Sequence, residues 1–492
     1  MAVHAQDVFC FETQFTASDG ENSPLWLNAN KHGLSALTST NGYVRGGLFR
    51  SIEADTTHTL SWGYGADVAV ASRFTSTFVV QQAYAEAQWK IIRATLGSKE
   101  QPMELKNQEL SSGSQTFGIN ARPVPQLRIG FPDYVDVPFT KGWLGIKGYC
   151  AYGLTTDDDW QRDFAQSEAH RTENTFFHAK AAYLRLGRGK VNLEFGMEAG
   201  CQFGGKSYQP NGIVIKNKSG LRSFINALYG GGTDITDGEY KNKEGNHVGS
   251  WNMRLNIDQP AWNLGLYCDQ LFEDNSMMVH IAYNGWGEKE TAHQHEKSCY
   301  FIYDFKDAML GAELKLKQLP WLNDIVLEFL ATKYQGGPTY HDITYHLGEH
   351  ITGRDDYYNH SVFTGWQHWG QVMGNPLFLS PIYNADGTIE VKDNRFTAWH
   401  LGLAGDPIGG LHYRLLASVQ KGFGTYYHLY PDPRRNFSLL AEGTYRFSER
   451  SQLKGWHLTC GIGLDRGRLL GDNIGFQLTV GHSGLLKRQK SN

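Results

Sequence analysis

No run of apolar residues in this chain approaches the roughly 18 that a transmembrane helix requires. Mean hydropathy is −0.44. Helical membrane spans are thereby excluded, but a transmembrane barrel is not, because its strands are only half apolar. Cysteine is scarce: Cys10, Cys150, Cys201, Cys268, Cys299 and Cys460 are widely scattered and form no C-x-x-C pair. That spacing argues against a zinc framework and leaves room for at most one structural disulfide. Neither charge dominates, with 46 Lys+Arg against 50 Asp+Glu, so no nucleic-acid surface is indicated. A G-x-S-x-G elbow, an H-E-x-x-H zinc motif and a Walker-type phosphate loop are all missing. No strong amphipathic helix stands out. Val3-His4-Ala5 before Gln6 has the shape of a signal-peptidase site, yet the charged and apolar regions that should precede it are lacking. Residues 1–5 read as the remnant of a secretory signal. Phe9 before Cys10 is too bulky for a lipoprotein cleavage site.

What is present is alternation. In Val191–Phe203, Val191, Leu193, Phe195, Met197, Ala199, Cys201 and Phe203 share one face. Asn192, Glu194, Gly196, Glu198, Gly200 and Gln202 share the other. Period two is the signature of a strand, and this one is long enough for the roughly 9–11 residues a tilted strand needs to cross a bilayer. The same rule recurs at 42–49, 60–70, 81–91, 93–97, 142–154, 180–187, 252–258, 263–270, 277–284, 311–317 and 324–332. Closing strands follow at 397–404, 413–420, 438–447, 456–465 and 474–481. Cys201, Cys268 and Cys460 fall on apolar faces, as small hydrophobes do.

The connections are of two kinds, very short turns and long polar loops, the longest at 204–249 and 335–395. Such asymmetry predicts an outer-membrane barrel with short periplasmic turns and long extracellular loops. A length of 492 residues would ordinarily suggest several domains, but one large barrel needs no compact core. Residues 6–492 are therefore read as a single barrel domain. An aromatic content of 13% and 56 glycines suit interfacial girdles and tight turns. A β-sandwich would put the apolar face inside and would not need strands this long.

Four stretches carry a family resemblance. They are Pro24–Arg50, Leu110–Gln126 (LSSGSQTFGINARPVPQ), Gly353–Phe378 (GRDDYYNHSVFTGWQHWGQVMGNPLF) and Asn394–Glu442. Together and in this order they resemble the Wzi-type capsule assembly proteins, the 183–203 hairpin looking like the version found in Bacteroides-type members. The resemblance implies an all-β, antiparallel outer-membrane barrel of about 18 strands, lectin-like, that holds capsular polysaccharide at the cell surface. It implies no enzymatic activity, no cofactor and no metal. The chain departs from many outer-membrane barrels in ending HSGLLKRQKSN rather than on the aromatic read by the assembly machinery; Phe476, Leu478 and Val480 could supply an internal signal.

The most unusual chemistry lies in the third stretch. Arg354, Asp355, Asp356, Tyr357, Tyr358, Asn359, Trp366 and Trp369 have the composition of a glycan site: ring faces for sugar C–H surfaces and planar polar groups for hydroxyl pairs. The same residues could instead fold the long loop back into the lumen. Asn192, Glu194, Glu198 and Gln202 should face that lumen. Asp157–Asp159 lacks EF-hand spacing and reads as a solvated acidic loop. His293 and His295 have no third ligand, and the Glu194/Glu198 pair is the ordinary charge of a barrel interior. The expected function is polysaccharide binding in capsule assembly or attachment, with surface polysaccharide and the lipid bilayer as partners. A porin-like transport barrel and a structural subunit of an outer-membrane complex are the alternatives.

Overall fold

The computed structural model describes residues 7–52, 59–166, 169–232, 236–237, 240–241, 244–273, 280–282, 285–286, 289–291, 294–296, 300–302, 307–341 and 350–486. The proposed signal remnant, His293 and Cys299 lie outside the described residues. Eighteen strands form one antiparallel sheet. In chain order they are β1 (Asp7–Asp19), β2 (Thr40–Arg50), β3 (Leu60–Ser72), β4 (Phe78–Trp89), β5 (Ile92–Ser98) and β6 (Gln126–Asp136). Then come β7 (Leu144–Leu154), β8 (Phe176–Leu186), β9 (Val191–Phe203), β10 (Asn246–Asp258), β11 (Trp262–Glu273) and β12 (Ala308–Leu316). The last six are β13 (Asp324–Ala331), β14 (Phe396–Ile408), β15 (Leu411–Gly424), β16 (Leu429–Arg446), β17 (Trp456–Gly467) and β18 (Asn473–Leu485). Each pairs with its sequence neighbour, and β1 pairs also with β18, from Val8↔Leu485 to Asp19↔Ile474, so the sheet closes on itself. Closure removes every edge and satisfies the backbone inside the wall, the condition for spanning a bilayer with strands.

The two rims differ. One carries short turns such as 90–91, 187–190, 259–261 and 409–410; the other carries 20–39, 99–125, 155–175, 204–245 and 332–395. The ends of β1 and β18 lie on the short-turn rim. Outside, the wall is apolar and open: Trp62, Val70, Leu96, Phe195, Leu327 and Trp399 are all exposed. Inside, Asp67, Glu198, Asp269, Glu328 and His400 are buried. This is the reverse of a water-soluble sandwich and matches a lipid-facing belt around a filled lumen.

Three expectations change. The alternation at 277–284 does not enter the barrel; its described part, His280–Ala282, pairs with Tyr300–Ile302 in a separate two-stranded sheet. Two barrel strands were not anticipated. β1 alternates plainly, with Phe9, Phe11 and Phe15 on one face. β6 is interrupted by a register shift between Phe131 and Val135 that accommodates Pro132, a residue with no ladder donor. Of the long loops expected at 204–249 and 335–395, the first ends earlier, at 245, and the second begins earlier, at 332.

A helix also appears where none was expected. Besides two short helices, α1 (Leu25–Asn28) and α2 (Asp158–Phe164), α3 (Leu221–Tyr229) lies against the outer face of β7–β9. Phe224 meets Tyr152, Phe176 and Phe203, and the Tyr152 hydroxyl donates to the Phe224 carbonyl at 2.7 Å. Lys180 donates to the Leu228 carbonyl, a cation at a helix C-terminus. Cys201 and Phe203, on the apolar face of β9, are therefore covered by α3 rather than open to lipid.

The two faces of β9 make a quantitative prediction. Phe195 is exposed on the outer wall, and Asn192 is half-buried on the inner face. Phe195→Arg should destabilise the barrel by about 2–4 kcal/mol if its depth is near the midplane, and Asn192→Arg by well under ~1 kcal/mol. Urea unfolding in detergent or vesicles measures both; equal losses would contradict the assignment.

Candidate functional site

The extracellular half of the lumen is filled by loops 20–39, 99–125, 155–175 and 332–395. They form one apolar core with inward wall residues: Trp26, Leu110, Tyr357, Tyr358, Trp366 and Phe378 pack with Phe177, Leu330, Phe396 and Leu440. Polar wall residues that would otherwise be stranded in this core hold the loop backbone. Glu328 of β13 accepts from Ser111 Oγ at 2.6 Å, from the Ser112 amide at 2.8 Å and from Tyr267 Oη at 2.5 Å. Asp269 of β11 accepts from the Gln115 amide at 3.0 Å and pairs with Lys106 at 2.7 Å. Glu198 of β9 accepts from Tyr183 at 2.5 Å and from Ser114 at 3.4 Å. Carboxylates on three strands thus seat the segment 111–115, each charge neutralised or multiply hydrogen-bonded as burial demands.

The other side of that segment is gripped by the loop that follows β13. Trp366 Nε1 donates to the Thr116 carbonyl at 2.8 Å, and the Gly118 amide to the Met373 carbonyl at 2.8 Å. Asn375 Nδ2 donates to the Gly113 carbonyl at 3.0 Å. Tyr358 donates to the Gln115 carbonyl and accepts from the Asn375 amide at 3.1 Å. The packing leaves no room for a side chain at Gly374, where a Cβ would fall 1.9 Å from Tyr358 Oη. The two stretches LSSGSQTFGIN and Y-Y-N-H…G-N-P-L-F are therefore one interlocked unit.

This places the sequence-predicted residues. Tyr357, Tyr358 and Trp366 are 0% exposed and offer no ring face to solvent. Asp356 accepts from Asn394 and, at 3.2 Å, from Asn359, whose carbonyl oxygen accepts the Val391 amide at 2.7 Å. Asp355 is half-buried. Arg354 ends a short strand that pairs with Gly336; its side chain is outside the described residues. Trp369 differs from the rest. It sits with Gly370 at the tip of a hairpin whose strands are Gln367–His368 and Gln371–Val372, and both tip residues have positive φ, 56° and 79°. That is the mirror-image turn suited to two-residue hairpins, uncommon for so bulky a residue. Its indole is half-exposed, with the Arg122 guanidinium 4.4 Å from the ring centre and Nε1 directed at Thr156 Oγ1, 3.3 Å away. Arg122 is itself held by Thr75 at 2.7 Å and Ser76 at 2.9 Å, on the extracellular turn between β3 and β4.

The acidic run is absorbed into the same unit. Asp157 is buried and accepts from Gln367 Nε2 at 3.1 Å and the Trp369 amide at 3.2 Å, while Asp159 pairs with Arg162 on α2. No cluster of three metal-ligating side chains occurs among the described residues. Glu194 accepts from Asn256 at 3.3 Å and, with Glu104, Lys106, Arg254, Glu313 and Asp324, lines a cavity of about 580 Å³ toward the short-turn rim. Asn192 accepts from Asn256 at 3.0 Å, and Gln202 from Asn246 at 2.9 Å in a fully buried setting. The lumen is thus polar and open near Glu194 but closed at Gln202. Arg122, within the Leu110–Gln126 stretch, and Thr156 complete the surroundings of Trp369, and their approach to it becomes legible only through the fold.

Comparison with known proteins follows from this geometry. The family model described as "Capsule assembly protein Wzi" matches residues 28–286. No curated protein matches the chain. Among solved structures, Escherichia coli Wzi, described as an outer-membrane protein involved in group 1 capsule assembly and a carbohydrate-binding β-barrel, aligns with a TM-score of 0.58 at 12% identity. The alignment covers 98% of this chain and 85% of that one. Pseudomonas aeruginosa OprD aligns at 0.47 and 8% identity, covering 98% of this chain and 96% of that one. At 12% identity the likeness to the Escherichia coli protein is one of fold.

Two predictions test the plug. Glu328→Ala strands the Ser112 amide and the Tyr267 hydroxyl and should cost about 3 kcal/mol; limited proteolysis should then cleave within 99–125, which the parent protein protects. The second concerns acid. Burial pushes the His360 imidazole down to about 4, and its Nδ1 accepts the Val362 and Phe363 amides. His368 is also held neutral by burial, with its Nε2 accepting the Thr156 amide at 3.1 Å. A depressed folded-state value leaves stability intact above about pH 6.5 and removes it as pH falls toward 4. Hydrogen exchange at amides 362–373, corrected for intrinsic rates, should accelerate over that interval; a flat profile would contradict the role.

Proposed function

Because the chain belongs to the Wzi capsule assembly protein family, we propose that it binds surface polysaccharide at the outer membrane and thereby assists capsule assembly or attachment. The observation that carries this reading is the half-exposed Trp369, lifted on a strained hairpin above a lumen that the described loops fill. An indole backed on one side by the buried Arg122 guanidinium suits a sugar: the free edge and face meet C–H groups while the exposed Thr156 takes a hydroxyl. Asp355, Asp356, Tyr357, Tyr358, Asn359 and Trp366 serve as the frame that holds the hairpin in place. A filled lumen favours surface capture over passive transport. A polymer presents many copies of one sugar pattern, so weak individual contacts sum through effective concentration.

Titration of the purified protein with capsular polysaccharide from its own source tests the proposal. Trp369→Ala should weaken binding about 3–10-fold, the worth of one aromatic contact, while leaving thermal stability nearly unchanged. Undiminished affinity would move the contact elsewhere.

A further inference from the structure

Five adjacent strands carry a feature the glycan reading does not use. At their extracellular ends, on the outer rather than the inner face, stand Lys333 just beyond β13, Arg395 leading into β14, Lys421 on β15, Arg435 on β16 and Arg466 on β17. Their outward direction follows from alternation, since Thr332, Phe396, Asn436 and Asp465 beside them are buried. Arg435 and Arg466 are exposed, Lys333 and Lys421 are half-exposed, and Arg395 is buried beneath Tyr426 with its Nε donating to the Lys333 carbonyl at 3.0 Å.

The row is not neutralised. Among the described residues none of the five forms an ion pair. Lys333 and Lys421 lie instead 4.8 and 5.4 Å from the Phe423 ring centre, and Arg395 lies 3.9 Å from that of Tyr426. Rings fix the cations without cancelling their charge. Lys421 and Arg435 are direct cross-strand partners, and Arg466 is opposite Phe437, one step along the same face. Like charges set opposite one another destabilise a sheet. Elsewhere on this rim, among the described residues, outward strand ends such as Val70, Phe78, Leu154 and Phe476 are uncharged, and the exposed Asp19 of β1 is acidic. Lys180, the cation that stands in a comparable place, is engaged by the carbonyls of α3.

The position of the row identifies its counter-charge. Immediately beneath it on the same face run Trp399, Val419 and Phe437, in register with one another, and the first two are each 54% exposed. Lys421 and Arg435, directly above this lipid-facing row, and Arg466, level with it opposite Phe437, stand at the depth of the outer-leaflet headgroups. There the abundant anion with several acceptor oxygens is phosphate, which Arg and Lys grip well and which can bridge two cations that would otherwise repel. We propose that the outer wall of β13–β17 is a binding surface for phosphorylated lipid of the outer leaflet, with Lys421, Arg435 and Arg466 as its centre.

The test uses the full chain in neutral detergent, with retained lipid counted by native mass spectrometry. Diphosphorylated lipid A is the probe, and the same lipid after phosphatase treatment is its comparator. The parent protein should retain the phosphorylated form at least tenfold better. The double variant Lys421→Gln/Arg435→Gln should lose at least tenfold, and Lys454→Gln, on the short-turn rim, should lose nothing. If the double variant fails to show the heat-modifiable migration of a folded barrel, Arg466→Gln alone should lose about threefold. Equal retention of the two lipids overturns the proposal, as does unchanged retention in the folded variants. Displacement of the phosphorylated lipid by inorganic phosphate at equal concentration would point to a free-anion site and also overturn it. So would binding of polygalacturonate without any lipid preference, which would make the row a glycan surface.

Discussion

A buried carboxylate must find donors, and that requirement organises this barrel. Glu198, Asp269 and Glu328 point inward from three strands into a lumen that holds no bulk water at their depth. Left alone, each would be an uncompensated charge in a region of low dielectric. The backbone of residues 111–115 and the side chains of Lys106, Tyr183 and Tyr267 answer them. In consequence the loop cannot lie elsewhere without stranding the wall, and the wall cannot be dry without the loop.

That mutual dependence carries outward. Once the segment 110–118 is seated, it offers carbonyls at Gly113, Gln115 and Thr116, and the loop after β13 closes on them through Asn375, Tyr358 and Trp366. Asp157 and Gln367 then fix the small hairpin that carries Trp369 to the rim. The buried aromatics and the half-exposed one belong to a single packed unit, closed at the bottom and open to solvent at the tip of the hairpin. The outer wall follows separate rules, set by lipid: an apolar belt, a helix laid over β7–β9, and a row of cations at one arc of the upper margin.

Most of the wall was legible from residues 42 onward because period-two alternation is imposed by two solvents of opposite polarity, one on each face. Where a strand bends around Pro132, or where alternation occurs in a short extracellular hairpin as at 280–282, the same signal misleads. Helix α3 escaped notice because it is only nine residues long and set within a long polar insert, too short for its periodicity to stand out. The composition of 353–369 singled out one loop, yet composition cannot separate a tryptophan at the centre of a plug from one at its tip. Trp366 and Trp369 are three residues apart, and only the positive-φ turn at Trp369–Gly370 distinguishes them. Arg122 and Thr156 reach Trp369 from other loops, an adjacency that no local pattern encodes.

The seam between β1 and β18 has a consequence for how the molecule comes into being. Gln14 donates to Thr479 across 465 residues of chain, so the cylinder has two free edges until the whole sequence has been made. Free edges are templates for pairing with foreign strands, and contacts so distant in sequence are slow to form. Segments 99–125 and 332–395 both leave the wall at the long-loop rim and fold back into the lumen from that mouth. Assembly is therefore the vulnerable interval in the life of this protein, because the seam forms only once its first and last strands are both present.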